Sequence, residues 1–320
     1  MSLRFLVESH YVSVRADAEF WRPHVTEIAR RHGLPMDPYE VTLGDATNPV
    51  FFVGDAVLKL YTPYFHGRES RGLEAATLRA LAHDPTLPTP RVLYRGDLVG
   101  GSTDWNWPYV FMTRMKGRIL GADWTELPPS ARTFLAEQIG KALKRIHAVS
   151  PTPDLSELWK LHWPRGFSEF LVRQQESLLL DNEVASLPIG DDLRELSLSG
   201  LGPSWPSILH GDLTLDHVYH DRGTLTGIID FGDAKLGDPL YDFVSLRFDM
   251  FQDDADLMRA CMAAYGLDPQ RERDFVRRMT AYTLLHEWRG ARDLTRWTMK
   301  SGARSIRELG EWLWGGYVTG

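Results

Sequence analysis

The sequence predicts an α+β fold with two lobes, an N-terminal antiparallel sheet with one main helix and a mainly helical C-terminal lobe. Short apolar runs separated by turn signals predict strands over much of residues 39–115. From Ser130 onward, apolar residues recur mainly at helical spacing. An aspartate-rich stretch, residues 209–243, interrupts this helical region. We therefore expect an N-terminal lobe at residues 1–116 and a C-terminal lobe at residues 117–320.

Composition is ordinary for a globular protein and argues against several classes. The chain has 320 residues, of which 43% are hydrophobic and 25% charged, and its net charge is −7. An acidic chain is not expected to bind nucleic acid by neutralising phosphates. The single cysteine, Cys261, allows no intrachain disulfide, which is typical of a reducing compartment. No apolar block is long enough for a signal peptide or a membrane span, so we expect a cytoplasmic protein without a membrane partner.

The first lobe is predicted to contain a leading helix, several strands and one main helix. The leading helix covers residues 17–33. Strands are expected at residues 39–43, 50–53, 56–61, 91–94 and 109–115. Between the third and fourth strands, residues 66–83 have apolar side chains at helical spacing and form the main helix.

The third strand carries Lys59, which a glutamate of the following helix can pair with. A strand lysine is more often solvated on the open face of a sheet. Here Glu74 lies 15 residues later, beside the apolar stripe that contains Leu78 and Leu81. Glu69, one turn or so earlier, is the alternative partner. A strand lysine held by a helix glutamate is the arrangement that fixes a cation on nucleotide phosphates.

The second lobe is predicted to be built mainly from helices. They are expected at residues 131–147, 166–180, 191–197, 243–249 and 254–265, with two or three more between 268 and 314. The first of them has several apolar side chains on one face: Phe134, Leu135, Ile139, Leu143 and Ile146. We interpret His147, at the end of this helix, as a packing residue rather than a ligand.

Residues 209–243 contain aspartates at or beside breaks in the apolar pattern: Asp212, Asp216, Asp230, Asp233 and Asp238. Residues 215–219 predict a short strand and residues 225–229 a return strand, with a turn signal at 221–223. A hairpin would bring Asp212 and Asp230 to face one pocket. Aspartate and glycine also populate ordinary turns. Two converging carboxylates are nevertheless typical of a site that binds a metal–phosphate and activates a hydroxyl.

Charge is distributed unevenly along the chain. Residues 181–260 contain 16 Asp and Glu against 5 Lys and Arg, whereas residues 271–320 contain 6 against 10. An acidic cleft would attract a cationic substrate and a metal–nucleotide. Alternatively, catalytic aspartates and acidic loops account for the excess.

Two motifs carry a resemblance to a known family: HGDLTLDHV at residues 210–218 and IIDFGDAKLGDPLYDF at residues 228–243. Taken together, they resemble the aminoglycoside phosphotransferase family, which has a protein-kinase-like fold. The resemblance covers roughly residues 40–265 and is greatest to the branch that phosphorylates the 2″-hydroxyl of aminoglycosides. That branch also has a histidine five residues after the catalytic aspartate. The predicted order of strands and helix in the first lobe matches a kinase small lobe.

The resemblance implies a role for several residues of the two motifs. Asp212 would be the catalytic aspartate, which orients the acceptor hydroxyl and takes its proton. His217 and Asp230 would bind Mg²⁺, although most relatives have asparagine at the position of His217. Asp238 and Asp242 would have a structural role near the site and form hydrogen bonds below the catalytic loop. His210 would also have a structural role there.

In the first lobe, the resemblance implies that Lys59 binds the α- and β-phosphates and is steadied by Glu74. Residues 44–48 contain one glycine and no repeated glycine-rich motif, and the resemblance implies a short polar phosphate loop from Asp45 to Asn48 instead. The connector from Thr113 to Met115 would offer backbone groups to a purine base. Whether the phosphoryl donor is ATP or GTP stays open.

The predicted function is therefore a small-molecule O-kinase. Its acceptor would be an aminoglycoside-like or other hydroxylated molecule, and the acidic segment favours a cationic one. Glu287, beside Trp288 on a predicted tail helix, is a candidate acceptor contact. Antibiotic resistance, a housekeeping metabolite kinase and a catalytically weak nucleotide-binding scaffold remain alternatives. A protein-kinase role is disfavoured, because only seven residues separate Asp230 from Asp238 and leave no activation segment.

Overall fold

The computed structural model describes residues 3, 6–34, 39–41, 47–65, 67–100, 104–202, 206–289 and 291–318. The chain divides into two compact units. The first unit consists of Met1–Lys116 and Gly227–Asp233, and the second of Gly117–Thr226 and Ala234–Gly320. The sequence predicted a second lobe that is continuous from residue 117, whereas the short segment Gly227–Asp233 belongs to the first unit.

The first unit contains a five-stranded sheet in which neighbouring strands are antiparallel. Its strands are β1 (Tyr39–Val41), β2 (Val50–Val53), β3 (Ala56–Leu60), β4 (Val92–Asp97) and β5 (Pro108–Thr113). The spatial order is β1-β2-β3-β5-β4, so β3 lies at the centre. Residues 42 and 43 of the first predicted strand lie outside the described residues.

The helices of the first unit are α1 (Glu8–Val14), α2 (Ala18–Arg31) and α3 (Gly67–Leu81). The Asp17 carboxylate accepts hydrogen bonds from the first turn of α2 and so fixes where this helix begins. Trp21 and Ile28 of α2 are fully buried in one core with Phe51 and Phe111 of the sheet. The sequence did not predict α1.

The segment Gly227–Asp233 belongs to the first unit because its backbone and side chains bond there. The Ile228 N–H donates to the Pro88 carbonyl at 2.7 Å. Phe231 is fully buried in the 3₁₀ turn Phe231–Asp233, which packs against α3. Gly232 is close enough to α3 that a Cβ there would lie 3.3 Å from the Ser70 hydroxyl. These contacts position Asp230.

The second unit is mainly helical. Its helices are α4 (Leu120–Asp123), α5 (Pro129–Ala148), α6 (Pro153–His162), α7 (Phe167–Leu179), α8 (Asn182–Ala185), α9 (Gly190–Glu195), α10 (Asp242–Ser245), α11 (Ala255–Tyr265), α12 (Phe275–Leu284), α13 (Ala291–Ser301) and α14 (Ile306–Trp314). Its short strands are β6 (Arg118–Ile119), β7 (Ser207–Leu209), β8 (Val218–Asp221) and β10 (Lys235–Gly237), and strand β9 (Thr224–Ile228) begins in this unit and ends in the first. Strand β9 carries the chain towards the segment that begins at Gly227.

Strands β7 and β10 pair antiparallel, with Lys235 opposite Leu209. This pairing brings the chain just after Asp233 alongside the strand that leads into His210. Strand β8 pairs with β6 and with β9 in a second small sheet. The predicted strand at residues 215–219 was partly wrong, because Leu215–His217 forms a 3₁₀ turn capped by the Thr214 hydroxyl.

Helices α5 and α11 pack closely against each other. Leu135, Ile139 and Leu143 of α5 are fully buried, as predicted. Phe134 was predicted on the same face, but it is 51% exposed because it lies on the neighbouring flank of the helix. Gly140 permits the close approach, since a Cβ there would collide with the Cys261 carbonyl.

Two further differences from the sequence prediction lie after Asp242. Residues predicted as one helix after Asp242 form α10 followed by a π-helical turn, Leu246–Met250. Glu287 lies in a turn after α12 and not on a helix.

Among the described residues, none of the helices has the length and apolar character needed to cross a membrane.

Candidate active site in two parts

The first part of the candidate site is a buried cluster in the first unit. Lys59 Nζ lies 2.9 Å from Glu74 Oε2 and 2.8 Å from Asp230 Oδ1. Lys59 and Glu74 are almost inaccessible, whereas the Asp230 side chain is 38% exposed. The predicted pairing of Lys59 with Glu74 is therefore present as an ion pair, and Asp230 shares the same lysine.

Local structure explains how these three side chains meet. Lys59 lies on the central strand β3, and Glu74 lies in the middle of the buried face of α3. Asp230 has a φ angle of 62°, in the left-handed region that non-glycine residues seldom adopt. Such backbone strain is concentrated at functional sites, where the surrounding structure enforces it.

The cluster has an electrostatic imbalance, because two carboxylates share one ammonium group. Burial alone would lower the pKa of Lys59, but the charges of Asp230 and Glu74 raise it overall. Burial raises the pKa of Glu74, and the nearby Asp230 charge adds to this effect although Lys59 opposes it. The lysine therefore stays protonated, and the exposed Asp230 carboxylate carries the charge that a cation can reach.

Tyr61 is a member of the cluster that sequence reasoning missed. Its hydroxyl donates to Glu74 Oε2 at 2.7 Å, and its side chain is 1% exposed. Glu74 is thus held by both Lys59 and Tyr61. The available signal was spacing, since residues two apart along a strand point to the same face.

Asn48 links the strand region to the start of α3. Its Oδ1 accepts the Thr62 N–H at 2.9 Å, and a Cβ on Gly67 would also lie 2.9 Å from this oxygen. Asn48 is 6% exposed, so its side-chain oxygen supports the local backbone. Residues 44–46 of the predicted phosphate loop lie outside the described residues, and a phosphate contact by Asn48 stays a prediction.

The connector after β5 has one position with unused backbone groups. The Thr113 N–H donates to the Arg91 carbonyl at 2.9 Å, and the Arg114 N–H donates to the Asp55 carbonyl at 3.0 Å. Within the described part of the chain, the backbone of Met115 makes no such bond. Gly227 packs against Met115, because a Cβ there would lie 2.8 Å from the Met115 Cβ. Base binding by Thr113 or Met115 stays a prediction.

The second part of the candidate site is the loop His210-Gly211-Asp212 in the second unit. Asp242 anchors this loop, since its Oδ2 accepts the His210 N–H and its Oδ1 accepts the Gly211 N–H, both at 2.8 Å. Gly211 has a φ angle of 85°, a conformation that glycine adopts without strain. The Asp212 side chain is 22% exposed.

His147 has a more specific role than packing. Its Nε2 lies 3.0 Å from Asp242 Oδ2, and its Nδ1 lies 3.0 Å from the Tyr265 hydroxyl. Burial would raise the pKa of Asp242, but the hydrogen bond and charge of His147, with further help from His210, hold it below its usual value. His147 thus keeps Asp242 ionised beneath the loop. The interpretation of His147 as a packing residue was incomplete, because sequence spacing does not show a partner 95 residues away.

His217 is oriented by the backbone of the same loop. Its Nδ1 lies 2.6 Å from the Asp212 carbonyl oxygen, and its ring lies 5.6 Å from the His210 ring. A carbonyl only accepts, so Nδ1 must carry the proton. In the neutral ring, Nε2 then has the lone pair, which is the tautomer of a histidine that ligates a metal.

Asp238 is enclosed by hydrogen-bond donors. Its Oδ1 accepts the Leu240 N–H at 3.0 Å, and its Oδ2 accepts from the Tyr282 hydroxyl at 2.5 Å and from Arg278. Asp238 is 2% exposed. This geometry corresponds to the predicted structural role.

Glu287 forms an ion pair that the sequence did not predict. Its Oε2 lies 2.7 Å from Lys235 Nζ, and its side chain is 23% exposed. The Glu287 N–H donates to the Tyr241 hydroxyl at 2.9 Å. An acceptor contact by Glu287 stays a prediction.

The predicted Mg²⁺ ligands lie in different units, Asp230 in the first and His217 in the second. Across the described ranges, no group of three or more His, Cys, Asp or Glu side chains has metal-binding geometry. The donor atoms individually fit a divalent cation, because Asp230 offers an exposed carboxylate and His217 an imidazole lone pair. Oxygen is the ligand that Mg²⁺ prefers.

Comparison with solved structures shows the fold. The chain resembles the GDP and kanamycin complex of APH(2")-IIia with a TM-score of 0.63 and 23% identity, over 93% of this chain and 98% of that one. It resembles the streptomycin–ATP complex of APH(2")-IIa with a TM-score of 0.61 and 16% identity, over 92% and 98%. A choline/ethanolamine kinase family protein from Mesorhizobium loti gives 0.57 and 21%, over 93% and 92%. The predicted bilobal, protein-kinase-like α+β fold is therefore confirmed.

Two curated sequences also match. The lysine-specific demethylase JMJ21 from Arabidopsis thaliana is 21% identical, over 55% of this chain and 23% of its own length. The uncharacterized protein YcbJ from Bacillus subtilis is 44% identical over 43 residues, 13% of this chain and 14% of its own. The chain thus spans less than a quarter of either relative.

The family itself is shown by a match over most of the chain. The model of the phosphotransferase enzyme family, APH, matches residues 39–276. These residues include the Lys59 cluster, the loop at Asp212 and the scaffold around Asp242. The chain therefore belongs to the phosphotransferase enzyme family.

Proposed function

We propose that this protein is a small-molecule O-kinase, which transfers the γ-phosphoryl group of a nucleoside triphosphate to a hydroxyl group. The observation that carries this proposal is the cluster of Lys59, Glu74 and Asp230. A buried lysine that contacts a helix glutamate and an exposed aspartate is the arrangement that binds nucleotide phosphates and their metal ion in kinases.

In the first unit, Lys59 would offset the charge of the α- and β-phosphates. Glu74, which is itself held by the Tyr61 hydroxyl, keeps the ammonium group in place, so little reorganisation is needed when the nucleotide binds. The unused backbone groups of Met115 would bind the base, together with the connector at Thr113. ATP and GTP both remain candidates, since the solved relatives include complexes with ATP and with GDP.

In the second unit, Asp212 would accept a hydrogen bond from the acceptor hydroxyl. The hydroxyl oxygen forms a bond to the γ-phosphorus while the bond from that phosphorus to the β–γ bridging oxygen breaks. Asp212 takes the proton of the hydroxyl, and the nucleoside diphosphate leaves. Asp242 and His147 support this chemistry by fixing the loop that carries Asp212.

Asp230 and His217 would hold Mg²⁺. When bound, the ion neutralises charge on the phosphates of the nucleotide. The Nδ1–H of His217 donates to the Asp212 carbonyl, so the ligand and the catalytic loop would be positioned together.

The acceptor would be an aminoglycoside-like or other hydroxylated small molecule. Solved relatives with kanamycin and streptomycin favour the first, and would make antibiotic resistance the biological role. The similar choline/ethanolamine kinase family protein supports a housekeeping kinase for another small alcohol. A panel of aminoglycosides and other alcohols, assayed with both ATP and GTP, distinguishes these roles.

The sharpest test of the catalytic assignment is Asp212→Asn. The amide keeps the shape of the side chain but cannot take a proton, so turnover should fall by about two to four orders of magnitude. Nucleotide affinity should remain nearly unchanged, because Lys59, Glu74 and Asp230 are intact. Single-turnover kinetics and nucleotide titration measure the two quantities.

Wild-type turnover in Asp212→Asn would contradict this assignment. If the wild type binds Mg–nucleotide but shows no turnover with any acceptor or water, the chain is a nucleotide-binding scaffold instead. An exposed aspartate in the same unit, Asp191, provides the matched control, since Asp191→Asn should change neither quantity.

A further inference from the structure

The second unit contains an ion pair, Lys235–Glu287, that the proposed chemistry does not use. Lys235 Nζ lies 2.7 Å from Glu287 Oε2. The Lys235 side chain is 4% exposed, whereas that of Glu287 is 23% exposed. The Glu287 carboxylate is thus partly accessible to solvent, whereas the Lys235 ammonium group that balances its charge is buried.

Contacts within the second unit place this pair close to Asp212. Lys235 on β10 lies opposite Leu209 on β7, three residues before Asp212. The Tyr241 hydroxyl accepts the Glu287 N–H at 2.9 Å. Burial raises the pKa of this hydroxyl well above its usual value, and the negative charges of Glu287 and Asp212 add to that effect. Both carboxylates therefore act on one hydroxyl group, and the residue after Tyr241, Asp242, anchors the loop that carries Asp212.

Lys235 is fixed in its position. Its ammonium group lies 5.3 Å from the centre of the Phe170 ring and 5.9 Å from that of the Tyr241 ring. Contacts of this kind favour a cation over an aromatic face. A lysine held between two buried rings cannot turn out to make room for another cation.

Two other described cationic or titratable side chains near Glu287 do not supply its counter-charge. His286 stacks on Tyr241 at 4.5 Å, and burial, with the nearby Lys235 and Arg289 charges, lowers its pKa well below its usual value. It is therefore neutral. Arg289 forms ion pairs with Asp249 and Asp293. Among the side chains that the structure describes, Lys235 is the cation paired with Glu287.

We infer that the Lys235–Glu287 pair selects acceptors that carry a neutral hydroxyl, and not a protonated amine, beside the reacting hydroxyl. The inference rests on the proposed function for the role of Asp212. A neutral hydroxyl can donate to the solvent-facing lone pairs of Glu287. An ammonium group would gain little there, because Lys235 already neutralises the carboxylate and repels a second cation. Of the acceptors that the proposed function allows, the pair therefore favours neutral sugars and polyols over aminoglycoside-like polycations.

The test removes the charge of Lys235 and measures the binding of a polycation. Lys235→Met and Lys235→Gln both leave Glu287 uncompensated, and the glutamine can still donate a hydrogen bond to it. Each should bind kanamycin about tenfold more tightly than the wild type in low salt, by calorimetry with Mg²⁺ and a non-hydrolysable nucleotide present. The double variant Lys235→Met with Glu287→Gln should return to within about twofold of the wild type.

A second readout separates charge from a general structural effect. The gain in kanamycin affinity should shrink as salt is added, whereas affinity for a neutral disaccharide such as trehalose should not increase in either single variant. The inference would be overturned if the wild type and both single variants bound kanamycin equally. It would also be overturned if none of the three proteins bound kanamycin detectably. A gain that persists in the double variant would overturn it as well.

The outcome does not depend on turnover. If no acceptor is phosphorylated by the wild type, the proposed kinase function fails while the binding comparison still tests the pair. Folding of each variant is checked by circular dichroism. If neither single variant folds, Glu287→Gln decides the matter, because it leaves the Lys235 charge uncompensated and should bind glucose 6-phosphate more tightly than the wild type. No such gain would overturn the inference.

Discussion

At the scale of single residues, the motifs identified the candidate catalytic and binding residues but not the side chains that bond to them. The aspartates of HGD and DFGD and the lysine of β3 stand out in the sequence because of their residue type and position. The hydroxyl of Tyr61 and the imidazole of His147 lie outside both motifs, and Lys235 lies within the second motif but was assigned no role from it. Each of them is nevertheless bonded to a residue that the motifs or spacing identified. A partner is recognised only when distant parts of the chain are placed together.

The pairing of His147 with Asp242 predicts a pH-dependent contribution to stability. The pKa of Asp242 is lowered in the folded protein, so the folded state favours the ionised form. This stabilisation is present above the unfolded pKa of about 4 and is lost as the pH falls through the lower, folded pKa. His147→Gln replaces the imidazole that bonds to Asp242 with an amide donor of different geometry, and should cost about 1–3 kcal/mol at neutral pH.

Urea unfolding of the wild type and His147→Gln at about pH 6 and about pH 3 measures this effect. The difference in unfolding free energy between the two proteins should shrink at the lower pH, which lies below the unfolded pKa of the Asp242 carboxyl. His83→Gln, at an exposed histidine of the first unit, should differ little from the wild type at either pH. A constant difference for His147→Gln would contradict the assignment.

At the scale of elements, helical periodicity predicted most of the buried faces, and its errors have local causes. The stripe on α5 was correct except for Phe134, which lies on the flank and stays exposed. A strand was predicted from Leu215, but the Thr214 hydroxyl caps a 3₁₀ turn that delays β8 until Val218. Apolar spacing does not distinguish such a turn from a strand over three residues.

Packing between helices makes a sharp prediction at Gly140. Alanine favours a helix over glycine by about 1 kcal/mol, so propensity alone predicts that Gly140→Ala stabilises α5. The added Cβ would instead meet the Cys261 carbonyl on α11, which is backbone and cannot rotate away. We expect a net destabilisation of about 1–3 kcal/mol, measured by urea unfolding.

Lys141→Ala is the control on the same helix, because Lys141 is exposed and its replacement should change stability by less than about 0.5 kcal/mol. An increase in stability for Gly140→Ala would show that α5 and α11 do not approach as closely as described.

At the scale of the whole molecule, each of the two units is formed by two separate segments of the chain. The boundary between Lys116 and Gly117 coincides with the end of the predicted first lobe. Gly227–Asp233 departs from the prediction because Phe231 is buried against α3 and Ile228 bonds to Pro88. Much of the acidic excess in residues 181–260 has local uses, since Asp181 and Asp254 cap helices and Asp238 and Asp242 are buried in hydrogen bonds.

Nucleotide binding should stabilise the protein, because a ligand that binds only the folded state shifts the unfolding equilibrium. At a concentration of about 100 times Kd, the gain is about 2.7 kcal/mol, which raises Tm by several degrees. Lys59→Met should abolish most of this shift with Mg–ATP and Mg–GTP. The same thermal scans with and without EDTA test whether the shift requires the metal.

Lys141→Met is the matched control, since it removes an exposed lysine far along the sequence from the cluster. Its thermal shift should equal that of the wild type. An undiminished shift in Lys59→Met would show that the nucleotide binds elsewhere.

The sequence by itself determined the order of the strands and main helix of the first unit, the kinase-like fold class and the residue types of the candidate site. These follow from local signals, namely periodicity, turn residues and short motifs, which depend on neighbours along the chain. Tertiary structure alone decided that Lys59 meets Asp230, 171 residues away, that Asp242 anchors the loop of Asp212, and that Lys235 compensates Glu287. Such contacts depend on long-range packing, for which the spacing of residues in the sequence carries no distance information.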